Sequence, residues 1–317
     1  MKGNHKMQGV VWVDAENMAV DNTVTHKLIR LIRESGIGSG FSSGQRVSLK
    51  VNTAEEGYEY GLRPRFFSIV ASIAHAATQK LPVLCDGQRL VDYWKRSKGN
   101  TFLEVAEAMG YSTETLGGHF VINGGFSGDE GDLFPCGSPD SELGGVEVGT
   151  AVCRSDMLGV LSHVTLHPMF GLSGALFNGG VDCLSARERT RLLHGANPYI
   201  FNGQRPGARE LQRFQQRALE SHLGVSASVE DHVFYVNYLW DVTPQPEYYP
   251  YSAKPVIENL GFLASSDPVA LDAASFSLVD ERRGSCREIT GIDFREVLRA
   301  AESLGIGKVE GKIEQLS

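Results

Sequence analysis

Two histidines and a run of glycines mark residues 161–180, LSHVTLHPMFGLSGALFNGG, as the segment of this chain best suited to chemistry. His163 and His167 lie four residues apart, a proline follows the second, and Gly171 and Gly174 come soon after. Proline removes a backbone donor and glycine relaxes the backbone, so this pattern predicts a chain bent closely around something. A tight surface turn with a hydrogen-bonded core histidine explains the same pattern without chemistry.

Histidine suits proton transfer because its ordinary pKa lies near neutral pH. We therefore take His167 as the candidate general acid/base. His163, Gly171 and Gly174 join it as candidate substrate-binding residues.

Further polar residues lie near the carboxyl ends of two predicted strands. Lys50 and Asn52 lie at the end of RVSLKVN (46–52), and Asp86 lies near the end of LPVLCDGQ (81–88). Ligands of open α/β sheets bind beyond the carboxyl ends of strands. We predict Lys50 and Asp86 as catalytic residues and Asn52 as a substrate-binding residue, with Lys50 and Asn52 holding a substrate oxyanion. A solvent-facing lysine on an edge strand is the alternative.

Asp267 is a weaker candidate for orienting a substrate or a catalytic partner. It precedes Pro268 at the start of an apolar helical pattern. Aspartate at the N-cap followed by proline is a common helix start, so a capping function is the favoured explanation.

The elements that must position these residues alternate between strands and helices. This order predicts an α/β fold with a mixed, largely parallel sheet and flanking helices, as a single domain over residues 1–317 or as two intimately joined lobes. The predicted strands are 9–13, 46–52, 81–88, 151–167, 232–245 and 257–265, and the predicted helices are 25–36, 64–79, 101–111, 184–200, 208–224 and 268–281, before a final helix and a short strand.

Residues 123–150 are rich in glycine and acidic residues. Asp129, Glu130 and Asp132 suggest a calcium loop, but their spacing does not fit an EF-hand. We predict a mobile insertion or lid that excludes water from the site, and no metal site.

Composition excludes several classes of function. The 317 residues are 42% apolar and 21% charged, as in globular proteins. A net charge of −8 argues against a nucleic-acid partner. The chain has no long apolar run and no signal-peptide pattern, so we expect a cytoplasmic protein without a membrane partner. Self-association into a homo-oligomer is compatible with the sequence.

Cysteine spacing gives no support for a metal centre. The five cysteines form no CxxC pair, so we expect reduced thiols. They are Cys85, Cys136, Cys153, Cys183 and Cys286.

Several stretches together resemble the DUF362 family, whose members are often described as iron-sulfur-centre proteins. They follow the family's order over most of the chain: SLKVN (48–52), LPVLCDGQ, SDMLGVLSHVTLHPMFGLSGALFNGG, HVFYVNYLWDVTP, LGFLASSDPVALDAASFSLV and ESLGIG. The histidine and glycine segment is also similar to a loop of lactate racemase and its relatives. There a histidine acts as acid/base beside a nickel pincer cofactor, which implies a role for His167.

Two departures limit what this resemblance implies. The family usually has a lysine ten residues after the histidine, and in the racemases this lysine anchors the cofactor. Here that position is Phe177, and Asn178 follows it. Many relatives carry cysteines after the strand near 232–243, where this chain reads PQPEYY. We therefore expect no iron-sulfur cluster, leave the cofactor unknown, and add Phe177 and Asn178 to the substrate-binding candidates.

These features predict a small-molecule enzyme that performs isomerisation, elimination or a related redox-neutral step on an oxygenated, perhaps aromatic, substrate. An oxidoreductase using a diffusible nicotinamide, a flavin or a bound metal is one alternative, and a non-catalytic binding protein is another. A cluster of seven aromatic residues is a candidate lining for the substrate pocket, and filling the core is the alternative for those on the strand. They are Phe234, Tyr235, Tyr238, Trp240, Tyr248, Tyr249 and Tyr251.

Overall fold

The computed structural model describes residues 9–88, 94–137, 141–193 and 206–316. The strands are β1 (Val10–Val13), β2 (Val47–Val51), β3 (Val83–Gly87), β4 (His119–Asn123), β5 (Gly131–Pro135), β6 (Gly145–Gly149), β7 (Met157–His163), β8 (Thr165–His167), β9 (Gly171–Ser173), β10 (Val233–Leu239), β11 (Gly261–Ser265) and β12 (Ile313–Leu316). The helices are α1 (Val24–Glu34), α2 (Pro64–Thr78), α3 (Gly99–Ala108), α4 (Thr113–Leu116), α5 (Thr150–Cys153), α6 (Ala175–Asn178), α7 (Ala186–Leu193), α8 (Ala208–Ser228), α9 (Pro268–Arg283), α10 (Arg287–Thr290) and α11 (Phe294–Ser303).

Eight strands form one sheet in the order β12-β1-β11-β10-β7-β2-β3-β4. Strands β10, β7, β2, β3 and β4 run parallel, whereas β11 is antiparallel to both of its neighbours. The predicted mixed, largely parallel α/β sheet is therefore confirmed. Because β2, β3, β7 and β10 run in one direction, their carboxyl ends lie together along one side of the sheet, which we call the carboxyl edge. The carboxyl end of the antiparallel strand β11 lies on the opposite side.

Helices cover both faces of the sheet, as buried parallel strands require. One face packs against α1 and α2, which bury Leu28, Leu31 and Phe67. The other face packs against α6, α8, α9 and α11, with Phe177 and Phe214 in its core. Among the described residues, no helix combines the length and apolar character needed to cross a membrane.

The predicted strands and helices all have counterparts, with three corrections and several omissions. Helix α8 continues to Ser228 and does not end at Gly224 as predicted. A Cβ at Gly224 would lie 2.4 Å from Val146 Cγ2, so this glycine lets β6 approach the helix. The second correction concerns α7, which begins at Ala186, two residues after the predicted start; the predicted continuation over 194–200 lies outside the described residues. The third correction concerns the predicted strand 151–167, which begins as helix α5 and then divides into β7 in the main sheet and β8, which pairs with β9. The elements that were not predicted are the edge strand β4, the strands β5, β6 and β9, and the short helices α4, α5, α6 and α10.

The glycine-rich stretch 123–150 contains two antiparallel strands, β5 and β6. Val146 and Val148 are buried against α8, and the chain just before β6 is tied to Glu220, whose Oε2 accepts from the Leu143 amide at 3.1 Å. The predicted lid function of this stretch stays a prediction.

Candidate functional site

Lys50 lies at the centre of a buried charged network at the carboxyl edge. Its Nζ donates to the Val51 carbonyl oxygen at 2.9 Å and lies 3.3 Å from Asp86 Oδ1 and 3.5 Å from Asp182 Oδ2. Burial alone would lower the pKa of Lys50, but the charges of Asp86 and Asp182 raise it above its usual value. Lys50 is therefore cationic, and its three hydrogens point at protein oxygens.

The Asp86 carboxylate is held by the chain around it. Oδ2 accepts from the Thr53 amide at 3.0 Å and from its hydroxyl at 2.6 Å, and Oδ1 accepts from the Gly87 amide at 2.8 Å. Arg96 Nη2 lies 3.6 Å from Oδ2, and its guanidinium lies 3.9 Å over the Phe102 ring. Arg96 and Asp182 were missed because nothing in the local sequence pattern distinguishes them.

Asn52 ties the end of β2 to two loops. Its Nδ2 donates to Asn178 Oδ1 at 2.7 Å and to Glu247 Oε1 at 2.5 Å, and its Oδ1 accepts from the His163 amide at 2.9 Å. Asn178 in turn donates to the Gly174 carbonyl oxygen at 2.8 Å. The predicted residues Asn52, His163 and Asn178 do meet, together with Glu247, which was missed because it lies 195 residues from Asn52.

His163 has one ring nitrogen engaged and one without a partner. Its Nε2 lies 2.9 Å from the Trp240 carbonyl oxygen, and because a carbonyl only accepts, Nε2 carries the proton. Nδ1 is then an acceptor; it is buried, has no hydrogen-bond partner and lies 3.9 Å from Glu247 Oε2. Burial lowers the pKa of His163 to about 4, so the ring is neutral at pH 7.

His167 has the opposite arrangement. Its Nδ1 accepts from the Met169 amide at 3.1 Å and the Phe170 amide at 3.0 Å, so the neutral ring carries its proton on Nε2. Nε2 lies 2.7 Å from the Tyr248 hydroxyl, to which it therefore donates. Burial lowers the pKa of His167 to about 3. Tyr248 was noted in the sequence only as one of several aromatic residues.

Phe177 and the two glycines pack the loop around His167. The Phe177 ring centroid lies 4.4 Å from that of His167. A Cβ at Gly174 would lie 2.3 Å from Asp272 Oδ1, and Gly171 adopts a φ of 96°, with its missing Cβ facing Phe294. These contacts give both glycines a packing function, and contact with substrate stays a prediction.

Asp272, which the sequence analysis did not single out, fixes this loop from α9. Its carboxylate accepts from the amides of Ala175 and Leu176 at 2.7 and 2.9 Å and from Asn237 Nδ2 at 2.7 Å. Burial raises the pKa of Asp272 to about 6.

Asp267 is not brought to the site. It caps α9, where Oδ1 accepts from the amides of Val269 and Ala270, and its Oδ2 accepts from the Lys308 amide at 2.9 Å. It follows β11, whose antiparallel direction places it at the opposite edge of the sheet. The capping explanation is confirmed, and substrate binding by Asp267 stays a prediction.

The side chains do not match the cofactors that the resemblance implies. Among the described residues, no group of three or more histidine, cysteine and acidic side chains is arranged to hold a metal ion. Cluster assembly needs several thiolates held together, and the cysteines form no such group in the part of the chain that the structure describes. Phe177 offers no amine to anchor a nickel pincer cofactor.

Comparison with known proteins identifies a family but no function. A search of curated proteins returns no match. Among solved structures, the lactate racemase apoprotein from Thermoanaerobacterium thermosaccharolyticum is similar, with 11% identity and a TM-score of 0.47 over 87% of this chain and 58% of that one. A structural-genomics target from Thermotoga maritima has 14% identity and a TM-score of 0.38 over 86% of this chain and 59% of that one. The chain thus spans less than two thirds of either protein.

The family model of a domain of unknown function, DUF362, matches residues 47–277. These residues include the charged network, both histidines and the loop that carries Glu247 and Tyr248. The protein belongs to the DUF362 family.

Proposed function

We propose that the protein is a small-molecule enzyme that catalyses an acid/base step on an oxygenated substrate at the carboxyl edge of the sheet. The step is an isomerisation, an elimination or a related redox-neutral reaction. His167 and Tyr248 form the proton-transfer pair, in which Tyr248 contacts the substrate and His167 acts through it.

The observation that carries this proposal is the fixed tautomer of His167. Two backbone amides occupy Nδ1, so Nε2–H donates to the Tyr248 oxygen at 2.7 Å. Because Tyr248 accepts this hydrogen bond, its own hydroxyl hydrogen is directed elsewhere. Tyr248 is only partly buried, whereas His167 is fully buried, so Tyr248 is the member of the pair that a substrate can reach.

The proton transfer follows from this geometry. Tyr248 donates its proton to a substrate oxygen, and the Nε2–H of His167 stabilises the tyrosinate that remains. The reverse transfer restores the phenol. His167 stays neutral throughout, because its Nδ1 faces two N–H donors and burial disfavours its cation.

Lys50 and Asn52 support the site in a different way from the predicted oxyanion contact. Their hydrogen-bond donors already reach protein oxygens, so a substrate oxyanion would have to displace a carboxylate or an amide. We propose that they hold Asp86, Asp182, Asn178 and Glu247 in place and that contact with substrate falls to other groups.

The test begins with a panel of hydroxy acids, keto acids and phenols incubated with the protein in D₂O and followed by NMR. We expect exchange of a carbon-bound hydrogen, or conversion, for at least one compound. For that compound, Tyr248→Phe and His167→Asn should each lower kcat/KM by about 10²-fold or more. Asparagine can still accept from the loop amides but cannot reach Tyr248.

Two further measurements separate proton transfer from structural support. His167→Asn should also move the alkaline limb of the pH profile to higher pH, because the tyrosinate loses its donor. Tyr251→Phe, in the same loop and 56% exposed, is the control and should behave as wild type. Binding without exchange or conversion would contradict the proposal and favour a non-catalytic ligand-binding protein.

A further inference from the structure

A cavity of about 400 Å³ is lined by α5 and by the first residues of β2 and β3. These two strands are parallel, so their starts lie on the side of the sheet opposite the carboxyl edge. The cavity is therefore separate from His167 and Tyr248. Its volume lies within the range of about 300–1,000 Å³ that small-molecule sites have in proteins.

The wall of this cavity is largely apolar. Val83, Val121 and Ala151 each contribute a half-buried side chain to it, and Leu81 is 46% exposed. Removing apolar surface from water is favourable, so covering these side chains would contribute to the free energy of binding. The wall therefore suits a ligand with an apolar body, such as a short alkyl chain or a single ring.

The side chains that line the cavity offer hydrogen-bond donors and no carboxylate. Its charged residues are Arg46, Lys80 and Arg154. With the described residues, the Lys80 ammonium makes no hydrogen bond or ion pair, and Arg154 has only its Nε near a carboxylate, 3.5 Å from Asp132 Oδ2. The Thr150 hydroxyl also lines the cavity and has no partner in the described part of the chain. Unpaired donors of this kind are what an anionic group binds.

Arg46, Lys80 and Arg154 form one end of the cavity, which we call the cationic end. Arg46 pairs with Asp156 at 2.6 Å, and Arg154 lies two residues before Asp156 in the chain. Arg46 and, to a lesser extent, Lys80 lower the pKa of Asp156 to about 2, so Lys80 lies near the same carboxylate. With Asp132 beside Arg154, the three cations are matched by two carboxylates. One positive charge remains, which attracts a singly charged anion.

Another carboxylate, that of Glu130, lies at the opposite end of the cavity. A Cβ on Gly125, which lines that end, would lie 2.6 Å from Glu130 Oε1. Gly125 follows the carboxyl end of β4, whereas Lys80 precedes the start of β3, and the two strands run parallel from Val83 and His119 onward. The anionic group of a ligand therefore belongs at the cationic end.

We propose that this cavity binds a small monocarboxylate, with its carboxylate at the cationic end and its apolar body against the wall. Arg154 can donate two parallel hydrogen bonds to a carboxylate, and Lys80 adds a compact positive charge. A carboxylate carries one negative charge at neutral pH, which matches the charge left at the cationic end, whereas a phosphate monoester carries nearly two. This second site goes beyond the proposed function and does not depend on it.

The experiment titrates sodium hexanoate into the full chain and follows binding by saturation-transfer NMR of the ligand. Hexanamide supplies the apolar body without the charge, and sodium acetate supplies the charge without the body. We expect hexanoate to bind saturably with a Kd of about 10 mM or lower, and the other two compounds to bind about 10-fold more weakly or less.

Two substitutions remove charge from the cationic end at exposed positions, so the variants should keep a Tm close to that of the wild type. We expect Lys80→Gln to weaken hexanoate binding about 3-fold or more, and the double variant with Arg154→Gln to weaken it about 10-fold. Lys254→Gln is the matched control and should keep the wild-type Kd, since Lys254 is also exposed and makes no ion pair with a described residue.

Three outcomes would overturn the inference. They are no saturable binding of hexanoate up to about 50 mM, equal affinity for hexanamide, and wild-type affinity in the double variant. The last outcome would show that the carboxylate binds elsewhere on the protein. His167→Asn should lose proton transfer but keep its affinity for hexanoate, so the proposed function and the second site fail separately.

Discussion

His163 and His167 lie four residues apart, but they belong to two different environments. His163 lies in the charged network, with Nδ1 3.9 Å from a carboxylate oxygen of Glu247. His167 lies among aromatic rings, with its ring centroid 4.4 Å from that of Phe177 and its Nε2 2.7 Å from the Tyr248 hydroxyl. Both rings are buried and neutral.

The difference between them comes from the backbone. In His163, Nε2–H donates to a backbone carbonyl oxygen, so Nδ1 is left as a hydrogen-bond acceptor. In His167, Nδ1 accepts from two backbone amides, so Nε2–H is left as a hydrogen-bond donor. The partner of one ring nitrogen thus decides the chemistry of the other. The arrangement at His167 is the one that the proposed proton transfer uses.

The largest expected effect concerns the charged network. Lys50→Met keeps a similar volume but removes the buried cation that lies between Asp86 and Asp182. We expect the free energy of unfolding to fall by about 3–5 kcal/mol in urea titrations. Lys254→Met, at an exposed position, is the control and should change it by less than about 0.5 kcal/mol. A small effect at Lys50 would show that the two environments are less different than the charges imply.

A medium effect is expected on the aromatic side. Gly174→Ala places a Cβ 2.3 Å from Asp272 Oδ1 and should push away the loop that brings Phe177 onto His167. We expect a loss of about 1–3 kcal/mol in the free energy of unfolding. Gly38→Ala is the control, since its nearest contact would be the Ile32 carbonyl oxygen at 3.8 Å. Equal effects at both positions would mean that this loop is not tightly packed.

The smallest expected effect is on the pH dependence of the free energy of unfolding, to which both histidines contribute. Their folded pKa values, about 4 for His163 and about 3 for His167, lie below the ordinary value of 6.5. Below pH 6.5 the unfolded chain therefore binds more protons than the folded chain. The free energy of unfolding is thus unaffected by these histidines above pH 6.5 and decreases as the pH falls below that value.

Each histidine should contribute about 1.4 kcal/mol per pH unit to this slope between about pH 6 and pH 5. His163→Gln and His167→Asn should each reduce the slope of unfolding free energy against pH by that amount, and His119→Asn at an exposed site is the control. An unchanged slope for His163→Gln would mean that His163 is already protonated beside Glu247, so that the two histidines would differ in charge.

Much of the charged side could be predicted from the sequence. The alternation of strands and helices predicts a largely parallel sheet, and parallel strands bring their carboxyl ends to one edge. Lys50, Asn52 and Asp86 follow from that rule, and His163 follows from the histidine and glycine pattern of residues 161–180. The rule does not extend to Asp267, because β11 runs antiparallel, a direction that the local pattern does not contain.

The partners of these residues could not be predicted. Glu247, Asp182 and Arg96 reach the network from loops and short turns, where no periodic pattern marks a residue as buried. Tyr248 resembles its aromatic neighbours in the sequence, and only its position against His167 Nε2 distinguishes it. Gly224 also misled the prediction, because a glycine that ends a helix and one that admits a neighbouring strand look alike.

The sequence by itself determined the family, the fold class and the edge of the sheet where polar residues collect, because these depend on local order and hydrophobic pattern. The tertiary structure alone decided which ring nitrogen of each histidine is available, because carbonyl oxygens and amides from the surrounding backbone fix the tautomers. It also decided that Lys50 and Asn52 are engaged within the protein, since their partners lie far away along the chain. Chemistry depends on those partners, and only folding brings them together.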